Sequence, residues 1–245
     1  MDLLYDNGSI LVSDVCELLN CSDQTIRRDL QELEEKGKLK RIHGGAFIPT
    51  SEDRGVPVQL RAKLIVKEKM HMARITADSL IRDDDVIMLD SSTTCASLAR
   101  HLISKGIRVT IISNSVSIAC EFSSAQTNTG FICIGGRYAE RSGSFDGPEA
   151  YNAFCGYIAD KAFISCNALS REHGMLDNYD SQMEIRRAIL SHSRERYLLV
   201  DHTKFDDKAS FIIGDLSQIN GIVTDEQPDD EWMEYFDRIG MKVIW

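Results

Sequence analysis

Four polar turns, each directly behind a short apolar run, carry most of the chemistry this sequence offers. Asp90-Ser91-Ser92-Thr93-Thr94 follows Val86-Ile87-Met88-Leu89, and Ser113-Asn114-Ser115 follows Val109-Thr110-Ile111-Ile112. Gly135-Gly136-Arg137 follows Phe131-Ile132-Cys133-Ile134, and Asp201-His202-Thr203-Lys204 follows Tyr197-Leu198-Leu199-Val200. A hydroxyl-rich turn that opens a helix presents free backbone N–H groups and the positive end of the helix dipole, which suits a phosphate. Lys204 adds a point charge, and Asp90 or Asp201 can accept hydrogen bonds from sugar hydroxyls. Contacts to a small phosphorylated sugar are therefore expected from Asp90, Ser91, Ser92, Thr93, Thr94, Asn114, Gly135, Gly136, Asp201 and Lys204.

A second set lies in the first fifty residues. Ser22 is placed to cap a helix in which Ile26, Leu30 and Leu33 recur on one face, leaving Gln24, Thr25, Arg27 and Arg28 outside near its start. Side chains of those types at the front of a helix can reach base edges in a major groove, and arginine also reaches phosphates. Leu39-Lys40-Arg41-Ile42-His43 then alternates as a basic strand before Gly44-Gly45. Lys40, Arg41 and His43 would lie along a DNA backbone, giving affinity without sequence preference.

These residues need elements to hold them. Ser13 is the expected N-cap of a first short helix, with Val15, Leu18 and Leu19 inward, broken at Asn20-Cys21. Two short helices, a tight turn and a basic β-wing read as a winged helix-turn-helix over residues 1–48. Residues 49–60 (Pro49, Ser51, Glu52, Asp53, Gly55, Pro57) lack apolar periodicity and read as a linker. From 61 an amphipathic helix is expected, with Leu64, Ile65, Met72, Ile75, Ala77 and Leu80 on its apolar face. Apolar runs at 86–89, 109–112, 131–134, 162–164, 197–200 and 222–224 then alternate with helices near 95–102, 116–122 and 181–193. Continuous apolar strands between helices indicate a mostly parallel sheet covered on both faces, so 61–245 reads as an α/β sensor domain. In such a sheet, ligands bind beyond the carboxyl ends of the strands, where the four polar turns sit.

Composition narrows the class. The 245 residues carry a formal charge of −10, which taken alone opposes nucleic-acid binding, yet residues 36–43 hold four basic groups and no acid. The seven cysteines form no CxxC pair and do not cluster with the six histidines, so neither a disulfide framework nor a metal site is expected. No apolar run approaches the roughly 18 residues of a membrane span, and the N-terminus lacks a secretory signal. A cytoplasmic protein without cofactor is the expectation.

The run Ser22-Asp23-Gln24-Thr25-Ile26-Arg27-Arg28-Asp29-Leu30, continued by Leu39-Lys40-Arg41-Ile42-His43-Gly44-Gly45-Ala46, resembles the signature of the DeoR family of bacterial repressors. The resemblance implies operator binding by a homo-oligomer, a dimer or tetramer. It also implies a longer first helix than Leu3-Leu4-Tyr5 provides, so a truncated one is expected. In the second domain it implies a sensor similar in fold to ribose-5-phosphate isomerases, marked by Asp90 to Thr94, Asn114-Ser115, Gly135-Gly136, Asp160-Lys161-Ala162-Phe163 and Asp201 to Phe205. It thus adds Lys161 to the effector residues. Ser92 stands where the family usually has glycine, and Ser165-Cys166-Asn167-Ala168 replaces its glycine-containing stretch. The leading reading is a repressor of a sugar-metabolism operon modulated by a phosphorylated sugar. The alternative is a sugar-phosphate isomerase with an appended domain, which needs a carboxylate base; Asp90, Asp160, Asp177, Asp180 and Glu184 are candidates.

Overall fold

The structure is a computed structural model that describes residues 1–49 and 56–245, with only the backbone of Asp6. The chain divides into two compact units, Met1–Val66 and Lys67–Trp245.

The first unit runs α1 (Asp2–Asn7), β1 (Ser9–Leu11), α2 (Val12–Leu19), α3 (Asp23–Glu35), β2 (Lys40–Ile42), β3 (Gly45–Phe47) and α4 (Val58–Lys63). Ser22 caps α3 as its spacing predicts, accepting the Thr25 N–H. Ile26 and Leu30 point from α3 into a core with Leu4, Val12, Val15, Leu39 and Ala46. The wing is a three-stranded antiparallel sheet in the order β1-β3-β2. Its two glycines answer to different constraints. Gly44 turns with φ +77°, whereas a Cβ on Gly45 would meet the Ile10 carbonyl oxygen at 2.7 Å.

Several expectations for this unit are corrected. Ser13 does not cap α2; Leu11 occupies that position without a side-chain bond, because the preceding residues pair as β1. Leu18 and Leu19 are 64% and 53% exposed, so only Val15 of that trio reaches the core. The short first helix is present as α1 and buries Leu4. Of the segment read as linker, residues 50–55 lie outside the described residues. Residues 58–60 instead begin α4, which buries Leu60 beside Gly45.

The second unit contains α5 (Val66–Leu80), β4 (Val86–Leu89), α6 (Thr93–Lys105), β5 (Thr110–Ser113), α7 (Val116–Ser124), β6 (Gly130–Cys133), β7 (Arg137–Ala139), β8 (Ser144–Asp146), α8 (Pro148–Cys155) and β9 (Ala159–Ile164). It continues with β10 (Ala168–Ser170), β11 (Gly174–Asp177), α9 (Asp180–Ser191), β12 (Ser193–Leu199), β13 (Phe211–Gly214), β14 (Gly221–Val223), α10 (Asp230–Ile239) and β15 (Lys242–Ile244). The helix expected from residue 61 is two helices: α4 ends at Lys63, and Ile65, at φ +44°, precedes α5.

Seven strands form one parallel sheet in the order β15-β14-β12-β9-β4-β5-β6. Alternation along each strand sends neighbours to opposite faces. Met88, Ile112, Ile164, Leu198 and Ile222 pack with Phe154, Ile185, Ile189, Trp232 and Phe236 of α8, α9 and α10. Ile87, Leu89, Ile111, Phe163 and Leu199 pack with Met72, Ala77, Leu98, Leu102 and Ile118 of α5, α6 and α7. Both faces are therefore buried. Two small antiparallel sheets, β7-β8 and β10-β11-β13, complete the unit.

The strand order also fixes where the winding of the sheet reverses. From β4 the chain steps outward to β5 and β6, then returns to place β9 on the other side of β4, with β12, β14 and β15 beyond. The direction of winding reverses between β4 and β9, and the crevice at a parallel sheet's carboxyl edge opens at such a reversal.

Candidate functional site

At that reversal Asp90 directly follows β4 and Ser165 directly follows β9. Asp90 is buried, and its carboxylate is fully engaged. Oδ1 accepts the Ser92 N–H at 2.9 Å, while Oδ2 accepts the Ser165 N–H at 3.0 Å and Arg186 Nε at 2.7 Å. Arg186, on α9, also donates through Nη1 to Asp177 at the end of β11. Asp177 Oδ1 in turn accepts Asn167 Nδ2 at 2.8 Å and the Asn178 and Tyr179 N–H groups. All three charged side chains are buried, with 6% exposure for Arg186, 2% for Asp90 and 0% for Asp177. Burial pushes the Asp90 carboxyl up, but the guanidinium and the N–H donors outweigh it and hold it below its ordinary value. The neighbouring Cys166 has no comparable help, and burial pushes its thiol up to about 12.

A polar chain extends from this triad. Ser91 Oγ donates to Gln182 Oε1 at 2.9 Å, and Gln182 Nε2 donates to Ser144 Oγ at 3.3 Å. Ser181 Oγ reaches Asp146 at 2.9 Å. The β7-β8 hairpin and α9 thus cover the strand ends together. Ser92 caps α6 by accepting the Cys95 N–H, leaving the Thr93 and Thr94 N–H groups without partners among the described residues. Asn114 Nδ2 donates to the Phe145 carbonyl at 2.7 Å, and its buried Oδ1 has no hydrogen-bond partner among the described residues. Asp201 is buried and accepts the Thr203 N–H at 3.1 Å; Lys204, at the end of the same turn, has no ion pair among the described residues.

The strand-end residues expected from the sequence are therefore placed along one edge, with one exception. Lys161 sits near the start of β9, level with Ile87, and pairs with Asp85 at 2.6 Å; Lys161 is buried and Asp85 largely so. That is the amino edge of the sheet, the end opposite Asp90, so Lys161 is a structural ion pair and not part of the strand-end cluster. Asp160, weighed as a base, lies at the same amino edge, where it accepts the Val86 N–H at 2.9 Å. Gly136 has a packing reason of its own, because a Cβ there would approach the Asp146 carbonyl oxygen at 2.6 Å. Arg186, Gln182, Ser144 and Asp146 were missed by sequence reading.

In the first unit, Gln24, Thr25, Arg27, Arg28, Lys40, Arg41 and His43 are all exposed. At 100° per residue, Gln24, Arg28 and Gln31 fall opposite the buried Ile26 and Leu30. They are not equally available. Arg27 is held by Asp23 one turn earlier, Arg41 by Glu34, and the Thr25 hydroxyl by Ser22 Oγ at 2.8 Å. Gln24, Arg28 and Lys40 have no side-chain partner among the described residues.

A helix-turn-helix with an exposed polar recognition face, in one chain with a doubly covered parallel sheet bearing a cluster of polar strand ends at its switch point, defines a DNA-binding regulator with a ligand-sensing domain. The comparisons with known proteins agree. The family model described as DeoR-like helix-turn-helix domain matches residues 1–52, and that described as DeoR C terminal sensor domain matches residues 65–226. The chain belongs to the DeoR family. It is 29% identical over 244 residues to the HTH-type transcriptional repressor GlcR of Bacillus subtilis, covering 100% of this chain and 93% of that protein. It is 34% identical over 239 residues to the lactose phosphotransferase system repressor of Lactococcus lactis, covering 96% and 92%. Among solved structures, it is similar to ribose 5-phosphate isomerase A of Methanocaldococcus jannaschii at 15% identity and a TM-score of 0.39, over 56% of this chain and 53% of that one. The family models and the regulator names of the relatives make the chain a transcription regulator and set aside the isomerase alternative. Among the described residues, no helix is long and apolar enough to cross a membrane.

Proposed function

We propose that this chain is a cytoplasmic repressor of a sugar-metabolism operon that binds operator DNA as a homo-oligomer and is released by a phosphorylated sugar. The sugar connection is supported by relatives named lactose phosphotransferase system repressor and L-fucose operon activator, although the latter is an activator by name. The observation that carries the reading is the carboxyl edge of the sheet. There the Thr93 and Thr94 N–H groups at the start of α6, without partners among the described residues, suit a phosphate, and Lys204 adds a cation on the same edge of the sheet. Asn114 Oδ1 supplies a buried acceptor with no protein donor among the described residues, which a ligand hydroxyl would satisfy.

On the DNA side, Gln24 and Arg28 read base edges and Lys40 contacts the backbone; Thr25, Arg27, Arg41 and His43 flank them. Effector binding shifts the oligomer toward an arrangement whose two DNA domains no longer match the operator half-sites.

The test has two stages. A panel of sugar phosphates is screened by thermal shift, since a ligand at 100 times its Kd adds about 2.7 kcal/mol to the native state. Any stabilising compound is then added to the protein bound to a duplex from the DNA upstream of its own gene. Release from the duplex supports the reading. A compound that stabilises the protein yet leaves DNA affinity unchanged removes the coupling.

A further inference from the structure

Besides the apolar packing of Leu39 and Ala46 on Ile26 and Leu30, a polar contact ties the wing to the recognition helix. Arg41 lies on β2, the edge strand, opposite Ala46. Its N–H points away from β3 and is taken by Glu34 Oε1, in the last turn of α3, at 2.8 Å. The other oxygen of the same carboxylate accepts Arg41 Nε at 2.7 Å. One side chain thus satisfies an edge-strand donor and neutralises a wing cation. Arg41 and Glu34 are 37% and 35% exposed, beside a groove lined by Leu30 of α3 and Ile42 and Gly45 of the wing. Both hydrogen bonds from Arg41 hold the Glu34 carboxyl below the usual carboxylate range. Lys40 precedes Arg41 on the strand, projects to the opposite face, is exposed, and has no ion pair among the described residues.

Resting on the DNA-binding reading, we propose that Glu34 is a positioning residue for DNA binding: through Arg41 it fixes the wing against the recognition helix, so that Arg41 is a brace and Lys40 makes the wing's phosphate contact. This reassigns Arg41 from the phosphate-contacting role its charge suggests. Simple charge counting predicts the opposite sign for Glu34, because removing an acid next to a polyanion should tighten binding.

The test uses the full chain, fluorescence anisotropy, and a labelled duplex from the DNA upstream of its own gene, titrated over a series of KCl concentrations. Abolishing one phosphate contact lowers the slope of log K against log[salt] by about 0.9. Lys40→Gln is expected to lower the slope by that amount. Arg41→Gln and Glu34→Gln are each expected to weaken binding about two- to fivefold, the range of an exposed ion pair, with the slope unchanged. The double variant should be no weaker than the worse single one. Glu34→Gln keeps an acceptor for the Arg41 N–H, and circular dichroism melts confirm folding. As a second variant, the swap Glu34→Arg with Arg41→Glu should regain binding that Arg41→Glu alone loses.

Tighter binding by Glu34→Gln, a slope reduced by Arg41→Gln, or a swap without recovery overturns the brace. A wild-type chain that fails to bind the duplex even at low salt removes the DNA-binding reading itself, and the brace with it. Wild-type binding with strictly additive single variants removes the brace alone.

Discussion

Replacing Arg186 with methionine strands two buried carboxylates. Asp90 and Asp177 are 2% and 0% exposed at their side chains, and the guanidinium between them is the cation bonded to both. Removing one partner of a buried pair costs about 3–5 kcal/mol. Here protonation sets a ceiling. Neutralising one carboxylate with an unfolded-state pKa of about 3.9 costs roughly 1.36 kcal/mol per pH unit above that value, or about 4 kcal/mol at pH 7 and about 1.5 kcal/mol at pH 5. Asp90 is the group that takes the proton, because burial already pushes it up and Arg186 is the largest force holding it down. Asp177 keeps three N–H donors.

In the wild type, the depressed Asp90 contributes stability that is present above about pH 3.9 and lost as pH falls through its lower folded value. In the variant its folded pKa lies above the unfolded one, so stability is highest in acid and falls as pH rises. Urea unfolding at pH 7 and pH 5 reads the difference directly. The stability gap between wild type and Arg186→Met should be about 4 kcal/mol at pH 7 and shrink by roughly 2–3 kcal/mol at pH 5. A gap below about 1 kcal/mol at pH 7, or one equal at the two pH values, would falsify the buried-triad account.

Three further outcomes follow from particular contacts. Arg28→Ala should weaken specific DNA binding by about 1–3 kcal/mol and relax discrimination at one base position, as read by anisotropy on a set of single-base operator variants; an equal loss on every sequence would mean a phosphate contact instead. Gly136→Ala places a Cβ at 2.6 Å from the Asp146 carbonyl oxygen, so the hairpin must move; a loss of about 1–3 kcal/mol in urea unfolding is expected, and no loss would show that the hairpin yields freely. His202 bonds Asp225 at 2.6 Å, which raises its pKa above 6.5. That stability is complete below pH 6.5 and disappears as pH rises through the higher folded value. Asp225→Asn should therefore flatten the decline in urea midpoint between pH 6.5 and pH 8, and an unchanged decline would assign it to another group.

What the sequence revealed and what it hid divide along physical lines. The strands of the main sheet are legible because burial on both faces makes them continuous apolar runs: Val86–Leu89 is β4 without adjustment. Ser22 is legible as a cap because the cap bond is local. The small sheets are not, since β7, β8 and β10 have three residues each, too few to show a period. Arg186 is hidden for a different reason. It stands beside Arg187 on α9, and nothing local says which one turns inward; Asp90, its partner, is 96 residues away. Arg187 instead donates to the Ile212 and Ile213 carbonyls of β13. Lys161 misled because a strand motif says nothing about which end of the sheet a side chain reaches, and Asp85 decides that.

The bonding of Asp90 also bears on why the isomerase alternative lacks a base at these strand ends. A general base must hold a free oxygen near the proton it removes and have a pKa near the working pH. Asp90 has neither: both oxygens carry donors, and the guanidinium keeps the carboxyl below its ordinary value. Asp177 is equally engaged, Asp160 faces the other edge of the sheet, and Glu184 is exposed on α9. The same engagement ties β4, β11 and α9 together through Arg186, and the end of β9 through the Asp90 carboxylate. Under the proposed reading, a ligand at the Thr93 and Thr94 N–H groups would lie beside this four-element junction.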